Sequence, residues 1–267
     1  MTAAAFGRRI LFLAPHPDDE VVACHAAARR AMAEGAQVFV LYLTNGCLAR
    51  ETVWPWQRAA HDGAIAERRH EAEIVAAEQR LKIAGWSARP ARYLWRELPK
   101  VEAEVAEAIG AFEIDQLWVP AFEGGNPDHD GANAVAGRFA AAGLSALEFA
   151  EYNLLGGKAR SHAFPDPNGT EETLVLTPAE RDAKLRSLGL YASERKNLGY
   201  VKTEVETWRP LPAHDYRRPP HPGRLWYNRF QWVPFAHPDV DRTDPEDVAA
   251  AIKAFLAADP PRPGRGR

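Results

Sequence analysis

Short apolar runs alternate with helix-length stretches over the first 155 residues, and this alternation leaves few folds open. Period-two or continuous apolar runs mark strands at 9–14, 37–43, near Tyr93 and Leu94, at 115–120 and near 147–152; helical spacing marks 19–33, about 62–84, about 99–110 and 131–142. Strand and helix in strict alternation predict parallel strands joined by helical crossovers, hence an α/β, Rossmann-like, doubly wound and mostly parallel sheet. With the strand order 3-2-1-4-5, the first and fourth strands are neighbours at the switch point, and ligands bind beyond their carboxyl ends. The loops after those two strands are therefore where chemistry is expected.

The first of these loops reads Ala14-Pro15-His16-Pro17-Asp18-Asp19-Glu20, between the apolar run Ile10 to Leu13 and a helix containing Val21, Val22, Ala26, Ala27 and Met32. The prolines disfavour helix for the residues before them, so His16 is held extended, while the acids fall in the first helical turn. One acid at a helix start is ordinary capping, and one His beside prolines is an ordinary turn residue. A cap needs one side chain, however, and this turn supplies four. The second loop, Glu123-Gly124-Gly125-Asn126-Pro127-Asp128-His129-Asp130-Gly131, follows Leu117 to Pro120. Alone it is as readily an Asn-Pro-Asp turn with a solvated His as a ligand site. The fold brings both loops to one crevice, giving His16, Asp19 and His129 as three ligands with a position open for water; imidazole and carboxylate suit a first-row divalent ion, zinc foremost.

The segment Ala14 to Glu20 resembles the signature of the LmbE/PIG-L-type N-acetylglucosaminyl deacetylases, and Asn126-Pro127-Asp128-His129 resembles that family's second motif, His-x-Asp-His. The resemblance covers roughly residues 8–155. It implies zinc bound by His16, Asp19 and His129, with Asp18 as general base. Asp128 is then a catalytic-site residue that orients His129 or His16, or equally the Asx-turn residue before a helix. Asn126 stands where the family has His; it can donate a hydrogen bond to an oxyanion but cannot supply a proton, so leaving-group protonation falls to Asp18 or to another residue such as His214 or His221. Arg68 with Glu71 resembles an Arg-x-x-Glu helix pattern whose Arg faces substrate, with Arg69 as a one-residue alternative and a solvated helix face as the plain reading. In the loop 44–60, Asn45, Arg50, Trp54 and Trp56 offer aromatic faces and a cation for a sugar or its phosphate, although two tryptophans packing the loop onto the domain fit as well. His25, His70, Glu73 and Glu78 read as helix-surface residues.

Composition agrees with an enzyme of this kind. The chain has 267 residues and a formal net charge of -3 with dispersed basic residues, so no nucleic-acid stripe is present. No apolar run approaches the ~20 residues that span a bilayer. Residues 1–9 show no apolar leader core, and two cysteines, Cys24 and Cys47, imply a reducing, cytoplasmic setting. The expected organisation is one domain over 1–267: a core at 1–155, an irregular arm and C-terminal helix at 156–258, and a basic tail at 259–267. Within the second half, 171–176 reads as a strand, 178–191 as a helix, and 244–258 as a helix. The proline-rich 209–222 reads as an arm that closes the crevice or as the contact of a homo-oligomer.

The function expected from these readings is zinc-dependent removal of an N-acyl group, N-acetyl first, from a small-molecule amino sugar or conjugate. A metal-dependent amidase on a larger amide would share every motif. A non-catalytic sugar-binding descendant is favoured only by Asn126. A nucleotide-binding or methyltransferase domain fits the fold class, but prolines and acids replace the glycine-rich phosphate loop.

Overall fold

The structure, a computed structural model, describes residues 6–199 and 201–258. Its core is a seven-stranded sheet of strands β1 (Arg9–Ala14), β2 (Gln37–Tyr42), β3 (Lys82–Trp86), β4 (Gln116–Pro120), β5 (Ser145–Ala150), β8 (Glu172–Val175) and β9 (Val205–Pro210), ordered β3-β2-β1-β4-β5-β9-β8. The first five strands run parallel in the expected 3-2-1-4-5 order. Strand β9 then pairs antiparallel with β5, and β8 with β9. A small ribbon, β6 (Tyr152–Asn153) with β7 (Arg160–Ser161), sits apart.

Alternation along β1 sorts its side chains to two faces. Leu11 and Leu13 pack with helices α3 (Leu98–Phe112), α4 (Pro127–Ala141) and α6 (Pro245–Ala257). Ile10, Phe12 and Ala14 pack with α1 (Asp19–Ala33) and α2 (His61–Gln79). Helix α5 (Pro178–Leu190) lies against α1 and α2 and opens with a Thr177/Glu180 capping box. No helix among the described residues is long and apolar enough to cross a membrane.

Four expectations are corrected. The third strand is Lys82–Trp86 and not the segment near Tyr93 and Leu94, where a short 3-10 turn lies instead. Helix α2 ends at Gln79, where Arg80 takes a left-handed conformation (φ 62°) without a glycine to announce it. Helix α4 starts at Pro127, four residues earlier than the periodicity suggests, because proline at its first position needs no N–H donor and Asn126 caps it. His25 is not on the surface: it is fully buried, with Nε2 against Ser187 Oγ at 3.1 Å. His70, Glu73 and Glu78 are exposed as expected. Part of the 209–222 segment is ordered into the sheet as the end of β9, and the basic tail at 259–267 lies outside the described residues.

Candidate metal centre and active-site crevice

Strands β1 and β4 are hydrogen-bonded neighbours, so the turns that leave them open onto the same crevice. In the first turn no acid caps α1. Asp19 Oδ2 accepts the His16 N–H at 2.7 Å, Glu20 Oε2 accepts the Asp18 N–H at 3.1 Å, and Asp18 makes no side-chain cap. Asp18 adopts φ 125°, a strained conformation for a residue with a Cβ. In the second turn Gly125 permits close approach: a Cβ there would fall 2.5 Å from the Tyr152 carbonyl oxygen.

His16, Asp19 and His129 each bring a ligand atom to within 4.8 Å of the others. His16 Nδ1 lies 3.3 Å from His129 Nε2 and 3.5 Å from Asp19 Oδ2, and Asp19 Oδ1 lies 3.3 Å from His129 Nε2. The outer ring nitrogens face carboxylates. Asp128 Oδ2 is 3.2 Å from His16 Nε2, and Glu151 Oε2 is 3.8 Å from His129 Nδ1. The bond to Asp128 places a His16 ring proton outward, on Nε2. The inner ring nitrogens, His16 Nδ1 and His129 Nε2, and the Asp19 carboxylate converge on one point. Two imidazoles and a carboxylate are the donor set of a divalent site with an open position, so these residues fit zinc.

The electrostatics follow from burial. Burial opposes charge on His16, yet its bonds to Asp128 and Asp19 raise its pKa to about 10. Burial would raise Asp19, but His129 and His16 hold it below the ordinary carboxylate range. Asp18 is different. Burial pushes its pKa well above the usual value, against the opposing pull of Arg68. Arg68, only 3 % exposed, donates from Nη2 to the Pro17 carbonyl at 2.6 Å and to Asp18 Oδ2 at 3.2 Å. Burial also lifts Glu20 to about 7, where it accepts from Tyr191 Oη.

The crevice encloses about 480 Å³ and is lined by His16, Asp18, Asp19, Arg68, Asn126 and residues from 194–199 and 226–241. Asn126 caps α4 through Oδ1, which accepts the Asp128 N–H at 2.9 Å, so its NH2 is the end left for a ligand. Asp128 is fully buried and accepts from the backbone N–H of Arg92 and Leu94, at 2.5 and 3.0 Å, as well as facing His16. Glu71 is buried too, but it accepts from Ser193 and does not pair with Arg68; Arg69 is exposed and pairs with Glu73.

The remaining candidates fall elsewhere. Asn45 uses its side chain to join two loops, donating to Ala88 O and accepting from Cys47 N–H, and does not line the crevice. Arg50 pairs with Asp62. Trp54 stacks on Trp56 and lines a neighbouring cavity. His214 is held by Glu148 at 2.9 Å, and neither it nor His221 lines the crevice, which removes both as leaving-group acids. Sequence reasoning missed Glu151, Tyr152, Trp226 and Asp241. Glu151 and Tyr152 fell inside the strand read near 147–152 and passed as strand residues, and Trp226 and Asp241 lie on segments without hydrophobic period.

Part of the chain is similar in sequence to the PIG-L (LmbE-like) family. Residues 11–140 match the model of that family, described as PIG-L: GlcNAc-PI de-N-acetylase. No curated protein matches the sequence. Among solved structures, the chain is similar to a deacetylase of the teicoplanin biosynthesis pathway, with TM-score 0.60 and 20% identity over 76% of this chain and 97% of that one. It is also similar to the N,N'-diacetylchitobiose deacetylase of Pyrococcus horikoshii, with TM-score 0.57 and 17% identity over 77% and 84%. A 4-carboxy-2-hydroxymuconate hydratase from Pseudomonas putida shares the fold at TM-score 0.50 and 14% identity over 78% and 98%. At these identities the likeness is one of fold, so the reaction has to be argued from the site.

Proposed function

We propose that the protein hydrolyses an N-acyl amide, N-acetyl first, on an amino sugar or amino-sugar conjugate, with zinc held by His16, Asp19 and His129. The reading is carried by one observation: three ligand atoms converge while Asp18, adjacent in sequence, stays outside that group and is held by Arg68. The deacetylase names borne by similar structures support it.

The bound ion would acidify a water and polarise the amide carbonyl. Asp18 takes the proton as the water oxygen adds to the carbonyl carbon. Burial raises its proton affinity, while Arg68 fixes its orientation and pulls the other way. The Asn126 NH2 donates to the carbonyl oxygen as negative charge develops there. The carbon–nitrogen bond then breaks, and Asp18 returns its proton to the departing amine. Asp128 acts by position, holding the His16 ring while pinning the Arg92 and Leu94 backbone.

Amine release across a panel of N-acetylated sugars, glycosides and larger amides, measured on zinc-loaded protein, tests this. Release from an N-acetylated sugar or its glycoside is the expected result, and release only from larger amides points to a related amidase. The cap at Asn126 favours one other reading, a sugar-binding protein without turnover. Binding of the panel with no amine released at any metal loading supports that reading.

A further inference from the structure

A second cavity of about 500 Å³ adjoins the crevice and shares Leu48, Ala91, Arg92 and Asp241 with it. The shared wall is an ion pair, Arg92 Nε to Asp241 Oδ2 at 3.3 Å, tied further by Arg92 Nη1 donating to Pro238 O at 2.9 Å. The backbone of Arg92 is bonded to Asp128, the carboxylate that also faces His16. One residue therefore separates this space from the candidate metal centre.

Its chemistry differs from that of the crevice. Where the crevice presents His16, Asp18, Asp19, Arg68 and Asn126, the second cavity sets Val53, Trp54, Pro55, Tyr93 and Val240 among the charged Glu51, Arg58, Arg96 and Arg242. Flat surfaces recur there. Trp54 and Trp56 lie nearly parallel (9°, centroids 5.1 Å apart), His237 meets Trp54 edge-on at 5.3 Å, and the Arg96 guanidinium lies over Tyr93 at 4.9 Å. Packed against the lining rings of Trp54 and His237, Trp56 is 73% exposed and Phe235 58% exposed, apolar surface that folding alone does not bury.

Resting on the amino-sugar reading above, we propose that this cavity is an aglycone subsite for a flat aromatic group carried by the sugar whose amide lies in the crevice. Adjacency of the two cavities across the Arg92–Asp241 pair supplies the geometry. Stacked and edge-on rings favour a planar aromatic group over a flexible chain.

The test titrates the full chain by calorimetry with the methyl, octyl and naphthyl glycosides of glucosamine, which bind without turnover, and follows amine release from their N-acetylated forms. The naphthyl glycoside is expected to bind about 10-fold more tightly than the methyl one, the scale of an aromatic contact with its buried area. Trp54→Ala and the cavity-filling Val53→Trp should each bring that ratio towards one; two variants guard against misfolding in either. Equal binding of methyl and naphthyl glycosides, binding of none of the three, or a ratio unmoved by both variants overturns the subsite. Octyl binding equal to naphthyl overturns its aromatic character. A naphthyl preference in binding without any amine release sinks the hydrolase reading and leaves the subsite standing; amine release with no naphthyl preference does the reverse.

Discussion

Asp18 concentrates the chemistry of this chain in one residue: strained at φ 125°, buried, excluded from the group that can hold a metal, and bonded to Arg68. Its neighbour Asp19 has the opposite surroundings, with two imidazoles stabilising its charge. Division of labour between adjacent carboxylates thus comes from geometry and not from residue type. For the three proposed ligands, His16→Ala, Asp19→Ala and His129→Ala should each lose the one zinc per chain expected of wild type, as read by elemental analysis of dialysed protein. Retention of full zinc by His129→Ala in a folded chain would remove the second loop from the site. Asn126→Ala should lower kcat by about 10² to 10³-fold, the scale of a lost oxyanion donor. Asn126→His is the more searching variant. It should raise turnover and add an ionisation to the pH–rate profile if the native chain lacks a dedicated acid, and a profile identical to wild type would place position 126 outside the chemistry.

At the scale of elements, the parallel half of the sheet was legible because each of its strands is short and apolar and each crossover helix has helical spacing. Strand β3 was not, since Lys-Ile-Ala-Gly-Trp lacks alternation and the helix before it stops at a left-handed Arg80. Helix α4 was legible in place but not in start. Its first turn holds His129 rigidly on a helix, where the sequence suggested a loop. The convergence of His16 with His129 followed from strand order alone, whereas Glu151 and the 226–241 wall required the tertiary fold. Strand β9 escaped because antiparallel addition to a parallel sheet carries no crossover signature. That strand is fixed by charge: Arg209, fully buried, donates to Glu148 at 2.7 Å, to Asp166 at 2.9 Å and to Glu171 at 3.0 Å. Arg209→Met takes the guanidinium away from buried Glu148, and should lower stability by about 3–5 kcal/mol, the usual cost of breaking a buried pair. Denaturant midpoints at constant m-value measure it, and a loss under about 1 kcal/mol would show that the pair does not hold the sheet together.

On the scale of the whole molecule, the second half is not an appendage: β9 and β8 extend the sheet, Lys184 on α5 is buried against Glu206 and the Val22 carbonyl, and loops 194–199 and 226–241 complete the crevice. We therefore propose a single folding unit, for which circular dichroism and intrinsic fluorescence should report coincident unfolding. Its stability should depend on pH through His25, whose pKa burial lowers to about 3. The unfolded chain takes up that proton near 6.5 and the folded one does not. The contribution is complete above about pH 6.5 and is lost as pH falls towards 3, with a slope near 1.4 kcal/mol per pH unit. His25→Gln should flatten that part of the melting-temperature profile, and an unchanged slope would assign it to other groups. In the proposed reaction Asp18 moves a proton beside a metal it does not bind. One paired measurement tests that: zinc content and amine release from an N-acetylated amino-sugar glycoside, in wild type and in Asp18→Asn. The expected result is one zinc per chain in both proteins with hydrolysis reduced by about 10²-fold or more in the variant. Loss of zinc from Asp18→Asn, or hydrolysis at the wild-type rate with zinc retained, would contradict it.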